Sequence, residues 1–419
     1  MDELLYTVWL SLACTPGSET FIKLLNKFNN SFGIYSATPE AIASCISSKS
    51  KDYNSLTDKS TKKAEEILNF CKSKKVGILT YFDKNYPDSL KNIKNPPVLL
   101  YYRGVLPDFN NNFFVSVVGT RRNSDYGRKN TFKISSDIAK AGATVVSGMA
   151  IGIDGVALAG ALAAGRSTVA VIGSGIDVCY PPQHKRLARE IVKEGCVFTE
   201  YAPGTRPLKH NFPKRNRIIS ALSSATVVME GDERSGSLIT ARCAFEQGRK
   251  VYAFPGNVGN RGSEASNLLI KNGAALITSA DDIIRDFDKI SPSKLNPHLL
   301  SKHSLLNMNE VLCEFEVSCV APSDDIFRTT RKKKKSENRE ASVSSSDNVN
   351  SSSKKNEVIS TLNPSCASLY NKIPENSDCS IDRLVDVEHN LRDVMQGILK
   401  LEILGVVTML PGDRVKRNQ

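Results

Sequence analysis

The residues in this 419-residue chain best suited to chemistry are four short Gly/Ser/Thr turns and one basic segment. The turns are Gly119-Thr120-Arg121-Arg122, Ser147-Gly148-Met149, Gly173-Ser174-Gly175 and Ser235-Gly236-Ser237, the last followed by Thr240. Small residues let backbone N–H groups approach an anion, and a helix starting directly behind the turn adds positive potential. The basic segment runs from Arg206 to Ser220. It holds Arg206, Lys209, Lys214, Arg215 and Arg217, together with Asn216, no acid and a single phenylalanine, Phe212. Lys and Arg neutralise a phosphate chain, and an exposed ring stacks on a base. Phe212 has two readings at this level, a platform for a base or an anchor in the core. Together these residues suit a site that holds phosphates.

Groups that could break a bond are scarce. Of the five histidines, His184, His210, His298, His303 and His389, none belongs to a nucleophile elbow or a metal motif. The ten cysteines form no C-x-x-C pair, so reduced core thiols are expected and a zinc site is not. Gly173-Ser174-Gly175-Ile176-Asp177-Val178 begins like a dinucleotide fingerprint, but valine stands where its third glycine belongs. Tyr180-Pro181-Pro182 also delays the helix that would hold a pyrophosphate, and no P-loop is present. The acids nearest the turns are Glu230, Asp232 and Glu246, and Glu246 is expected to cap or pair within its own helix. The expectation is a binding site with no catalytic residue, no metal and no cofactor.

Elements that could position these turns follow from the apolar pattern. Phe114–Val118, Thr144–Ser147, Thr168–Ile172, Cys196–Thr199, Ala225–Met229, Val251–Phe254 and Ala274–Ile277 are short apolar runs, nearly all separated by helix-sized segments. Such strands indicate a parallel sheet covered on both faces, here an α/β doubly wound domain over 107–290. In open sheets of this kind ligands bind beyond the carboxyl ends of the strands, where all four turns fall. Residues 1–75 show helical spacing and predict a small helical domain, and 76–106 read as an extended, proline-interrupted connector. Residues 291–365 read as a disordered linker, since the run Arg328–Lys335 and the serines that follow leave almost no large apolar residue to bury. Residues 366–419 carry helices and then a strand–turn–strand, a winged-helix pattern.

The formal charge of +12 and the pI near 9.1 suit a polyanionic partner. Residues 328–340 contribute +5 of that charge, from seven Lys/Arg against two Glu, so the total says less about the α/β domain than it first suggests. The acidic start Met1-Asp2-Glu3 lacks a secretory n-region. The weakly charged stretch Ala141–Gly165 is too rich in glycine for a membrane span. A cytoplasmic protein is expected.

At this point the motifs match a known pattern. The chain resembles the DNA-processing protein A family (DprA/Smf), collinearly over nearly its whole length. The matching residues are Tyr86-Pro87, Pro97–Gly104, Val117–Arg121, Ser147–Asp154, Gly173–Asp177 with Tyr180-Pro181, Phe212–Ile219, Ser235–Ala241, Glu246–Arg249 and Pro255-Gly256. The resemblance implies an extended Rossmann fold, a sterile-alpha-motif-like N-terminal domain and a C-terminal winged helix. It implies a protein that binds single-stranded DNA, protects it, and loads a RecA-type recombinase in natural transformation. Partners extend to single-strand-binding protein and to a second copy in a homodimer. Position by position it makes Arg121 a main phosphate contact, Lys185 and Lys209 DNA-contacting lysines, and Phe212 a ring against a base. Thr120 stands where many members have serine, which keeps the hydroxyl, and the basic linker is unusually long. The alternative is a phosphoribohydrolase-like nucleotide enzyme on the same fold, of whose glycine turn Gly236–Thr240 with Glu246 is a distant echo.

Overall fold

The structure, a computed structural model, describes residues 3–288, Leu295, 307–318, 364–375, 377–384, 407–410 and 414–417, with Val394, Ile398 and Leu401. The chain divides into two compact units, 1–328 and 329–419.

The first unit opens with helices α1 (Glu3–Ala13), α2 (Thr20–Phe28), α3 (Ser31–Ser36), α4 (Pro39–Ala43), α5 (Lys51–Thr57) and α6 (Lys62–Ser73). Three of them start at side-chain caps. Asn30, Thr38 and Ser50 accept the N–H of Gly33, Ala41 and Tyr53, so three short helices each have one free first-turn donor satisfied. Val8, Trp9, Leu10, Phe21 and Leu24 are buried in one apolar cluster with Leu99, Tyr101, Val156 and Ile172. The helical region therefore shares its core with the sheet behind it.

That sheet has nine strands: β1 (Gly77–Thr80), β2 (Leu99–Gly104), β3 (Phe114–Val118), β4 (Thr144–Ser147), β5 (Thr168–Val171), β6 (Cys196–Thr199), β7 (Ala225–Val228), β8 (Lys250–Ala253) and β9 (Ala275–Leu276). Between and after them lie α7 (Asp88–Lys91), α8 (Asp125–Lys140), α9 (Ile153–Ala163), α10 (Lys185–Glu194), α11 (Asn211–Ala221), α12 (Gly236–Glu246), α13 (Glu264–Lys271) and α14 (Ala280–Asp288). The order is β1-β2-β6-β5-β4-β3-β7-β8-β9, with all strands running in one direction except β2, which pairs antiparallel with β1 and β6. Alternate residues of β3 enter opposite cores. Phe114 and Val118 pack with Ile218 and Ala241, whereas Val115 and Val117 pack with Ile138 and Ala157. Continuous apolar runs are what a sheet buried on both faces requires, and the doubly wound reading holds.

Two boundaries differ from expectation. Residues 76–106 are part of the sheet, with Thr80 opposite Leu99 and Tyr101 opposite Thr199. The prolines that suggested a connector lie outside the strands, where they remove no ladder donor; Pro97 supplies a carbonyl to the buried Tyr86 hydroxyl at 2.7 Å. Within the expected linker, residues 307–318 are ordered. Asn307 caps α15 (Met308–Glu314), Leu312 is buried, and Met308, Val311, Phe315 and Val317 pack on the shared core. A short apolar helical stripe was hidden there beside the polar run. The basic segment Arg328–Lys335 and the serines after it lie outside the described residues.

The second unit contains α16 (Pro364–Lys372) and strands β10 (Cys379–Ser380), β11 (Val407–Leu410) and β12 (Arg414–Arg417) in the order β10-β12-β11, all antiparallel. Leu369, Ile373, Ile381, Leu384, Val394, Ile398, Leu401, Val407 and Val415 form its core. Helices against a small β-sheet of this kind make the winged helix. Its turn at Pro411-Gly412 lies outside the described residues.

Candidate nucleic-acid interface

Strand order locates the site. From β3 the chain proceeds outward through β4, β5 and β6, then crosses back to place β7 on the other side of β3. The βα loops leaving β3 and β7 diverge at that switch point and leave a crevice between them. A cleft of about 590 Å³ opens there. The turn after β3 (Gly119–Arg122) and the start of α12 (Ser235–Thr240) face it from the two sides of the switch, and the basic segment (Lys209–Asn216) closes it beyond β4 and β5.

The Gly119–Arg122 turn is held from behind. Thr120 N–H donates to the Glu230 carbonyl at 2.7 Å, and the Glu230 carboxylate accepts the Ser124 N–H at 2.9 Å and the Ser124 hydroxyl. Ser124 Oγ in turn accepts the Gly127 N–H at the head of α8. The buried Glu230 charge is thus consumed in positioning the loop. Thr120 Oγ1 accepts the Arg122 N–H at 3.1 Å, which bends the turn and leaves the Arg121 and Arg122 side chains exposed at the cleft. Gly152, at φ +86°, packs against the back of the turn, and a Cβ there would lie 2.5 Å from the Thr120 carbonyl oxygen. Only glycine permits both that backbone and that approach.

Phe212 is half-buried and sits at the meeting point of the cations. The Arg121 guanidinium lies 5.4 Å and that of Arg215 5.9 Å from its ring centre, and the Tyr180 ring 5.5 Å away at 50°. Gly173 lies against the ring from the sheet side. The structure therefore packs one part of Phe212 and leaves the other lining the cleft.

Arg215 lines the same cleft as a core group. It is 3% exposed, donates to the carbonyls of Gly148 (2.8 Å) and Val171, and faces Asp154 across Gly148, where a Cβ would collide with both side chains. Burial pushes the Arg215 guanidinium down to about 10, and Asp154 opposes that shift. Burial raises the Asp154 carboxyl, and Arg215 and Arg121 pull it back. Arg215 lines the cleft without projecting from it, its charge set against Asp154.

Of the residues singled out from sequence, Gly119, Thr120, Arg121, Lys209, Phe212, Arg215, Asn216, Gly236, Ser237 and Thr240 come together around this cleft. The others do not line it. Ser147 is fully buried and donates to the Val117 carbonyl at 2.6 Å, and the Gly148 carbonyl is taken by Arg215. The Gly173-Ser174-Gly175 turn is filled by its own protein. Gly173 O accepts from the Asn211 amide, Ser174 Oγ donates to Val178 O, and Gly175 N–H donates to Thr205 O. Arg217 is 5% exposed and pairs with Glu200 at 2.6 and 2.8 Å. Lys185 is exposed at the start of α10, outside the cleft. Glu246 also lies outside it, 3.6 Å from Arg242 in its own helix, as expected.

Sequence reasoning named Arg122 only as part of its turn and missed Tyr180, Arg234 and Arg261 as cleft residues. Tyr180 was visible only as part of a Tyr-Pro-Pro break, and Arg261 is brought in from beyond β8. Arg261 stands 3.7 Å from Asp232, an exposed pair that leaves its charge available to a polyanion.

Fold and site together define an extended Rossmann-type protein whose switch-point cleft is lined with cations and carries no dinucleotide fingerprint. Residues 77–288 match the family model for DNA recombination-mediator protein A. Over 344 residues the chain is 33% identical to Protein Smf of Synechocystis, covering 81% of this chain and 80% of that protein. It is 44% identical over 206 residues to the DNA processing protein DprA of Streptococcus pneumoniae, covering 49% of this chain and 72% of the relative. The X-ray structure of DprA from Streptococcus pneumoniae superposes with a TM-score of 0.60 at 34% identity, over 68% of this chain and 98% of that one. The chain belongs to the DNA recombination-mediator protein A family.

Proposed function

We propose that the cleft binds single-stranded DNA and that the protein works as a recombination mediator without a catalytic step. In this reading it shields incoming strands in natural transformation and passes them to a RecA-type recombinase, acting as a homodimer in the cytoplasm. The observation that carries it is the half-buried Phe212 ring set among Arg121, Lys209 and Arg215 at the switch point. A ring flanked by guanidinium groups suits a base above it and phosphates beside it. The titratable groups nearby support binding over turnover. Asp154 is set against Arg215, Glu230 holds the Ser124 loop, and His184 is fully buried between Met149 and Ser318. None of these presents a free base to the cleft. No helix among the described residues is long and apolar enough to cross a membrane. In keeping with this reading, the helical region before the sheet serves as a sterile-alpha-motif-like module, and the winged helix as a separate one.

The test is retention of labelled oligo-dT against duplex of equal length over a salt series. Affinity for the single strand should fall by about 0.7 log units per log unit of salt for each phosphate neutralised. A flat response, or preference for duplex, overturns the reading. Release of free base from nucleoside monophosphates would overturn the non-catalytic part.

A further inference from the structure

A strand longer than the cleft must leave it, and the β5 side offers a surface for its exit. Beyond Tyr180 the chain turns through Pro182–His184 into α10, which begins on the same carboxyl rim because it follows β5. Leu187 and Ile191 bury one face of this helix completely. The outer face carries Lys185, Arg186 and Arg189, all exposed and none in an ion pair with a described residue. Its acids come later: Glu190, paired with Lys193 at 2.6 Å, and Glu194. The first turn holds no acid.

This layout runs against helix electrostatics. The positive end of the helix dipole favours acids in the first turn and cations in the last, so cations gathered at the start work against the helix's own stability. Among the described residues no ion pair engages them, which points to an anion supplied from outside. Their position is continuous with the site. Lys185 and Arg189 both act on the Cys179 thiol, which burial raises and these cations pull back, and Cys179 is the neighbour of the cleft residue Tyr180. Lys185 and Arg189 stand about one turn, or ~6 Å, apart along the helix.

We propose that Arg186 and Arg189, with Lys185 beside them, form a second phosphate-contact surface over which a single strand runs after leaving the cleft past Tyr180. This rests on the cleft being a single-strand site, and it sets the direction in which a long strand leaves.

The test compares the full-length wild type with the R186Q/R189Q double variant, using two oligo-dT lengths. One is about 5 nucleotides, short enough for the cleft, and one about 20, beyond the roughly 4–16 nucleotides that one OB-type single-strand fold covers. The variant should bind the short strand as wild type does. On the long strand its salt slope should fall by about 1.4, from two phosphates at about 0.7 each, with an affinity loss of several-fold at low salt. A folded variant with wild-type slope on the long strand overturns the α10 surface and leaves the cleft intact. An equal loss on both lengths overturns it too, because the arginines would then belong to the cleft itself. If the wild type binds neither length, the cleft reading fails and this extension with it.

Discussion

Phe212 is where packing and recognition can be separated by measurement. Its ring is half-buried, backed by Gly173 and Tyr180 and flanked by Arg121 and Arg215. Full burial would make Phe212→Ala cost about 3–5 kcal/mol of stability. With only part of the ring packed, about 1.5–2.5 kcal/mol is expected, a shift of a few degrees in Tm for a domain of this size. Loss of a base-stacking platform costs about 1–3 kcal/mol, which is about 5- to 150-fold in Kd. Phe212→Leu is the sharper probe. Leucine keeps an apolar body against Gly173 and Tyr180 but presents no π-face, so its melting curve should stay close to wild type while oligo-dT affinity falls nearly as far as in Phe212→Ala. Melting curves and fluorescence anisotropy on the two variants provide both axes. Wild-type affinity in a folded Phe212→Leu protein would refute the stacking role. An alanine variant destabilised by the full core value with affinity intact would make the ring an anchor alone.

Two arginines of the same region should behave oppositely. Arg121→Ala should weaken single-strand binding alike for all base compositions and leave Tm unchanged, because the side chain is exposed at the cleft. Arg217→Ala leaves Glu200 buried without its partner and should cost about 3–5 kcal/mol of stability, read by denaturant titration. His184 accepts the Ser318 N–H at Nε2 and is left to donate from Nδ1 to Met149 O, so the folded state holds it neutral, and burial lowers its pKa. The unfolded chain therefore takes up a proton first as pH falls. The stability held by His184 is complete above pH about 6.5 and is lost below it. Melting temperatures at pH 7.5 and 5.5 should differ more in wild type than in His184→Asn, and equal differences would refute this. The Ser318 carbonyl accepts the Gly152 N–H behind the Arg121 turn. A chain truncated after residue 306 should bind oligo-dT more weakly than one truncated after 318, and equal affinities would show that the 307–318 segment does not support the cleft.

Much of the architecture can be read along the chain because its cause is local. Apolar runs such as Phe114–Val118 and Ala225–Val228 need cover on both faces, and small residues after them mark a carboxyl rim, so the parallel sheet and its ligand-facing edge follow from pattern alone. The same holds for Arg121, which stands in a turn too small to bury it. Strand neighbours are another matter, since they depend on long-range packing. Only the tertiary structure places β7 beside β3 and so opens the Gly119 and Ser235–Ser237 turns to one cleft, while Thr205 and Asn211 close the similar Gly173–Gly175 turn. It also sorts identical side chains by what surrounds them. Arg215 turns inward to two carbonyls and Asp154, Arg217 is bound to Glu200, and Arg261 is brought from beyond β8 to the rim. A charge lowers its energy by finding partners or water, and which of these a given arginine reaches is decided by the packed fold around it.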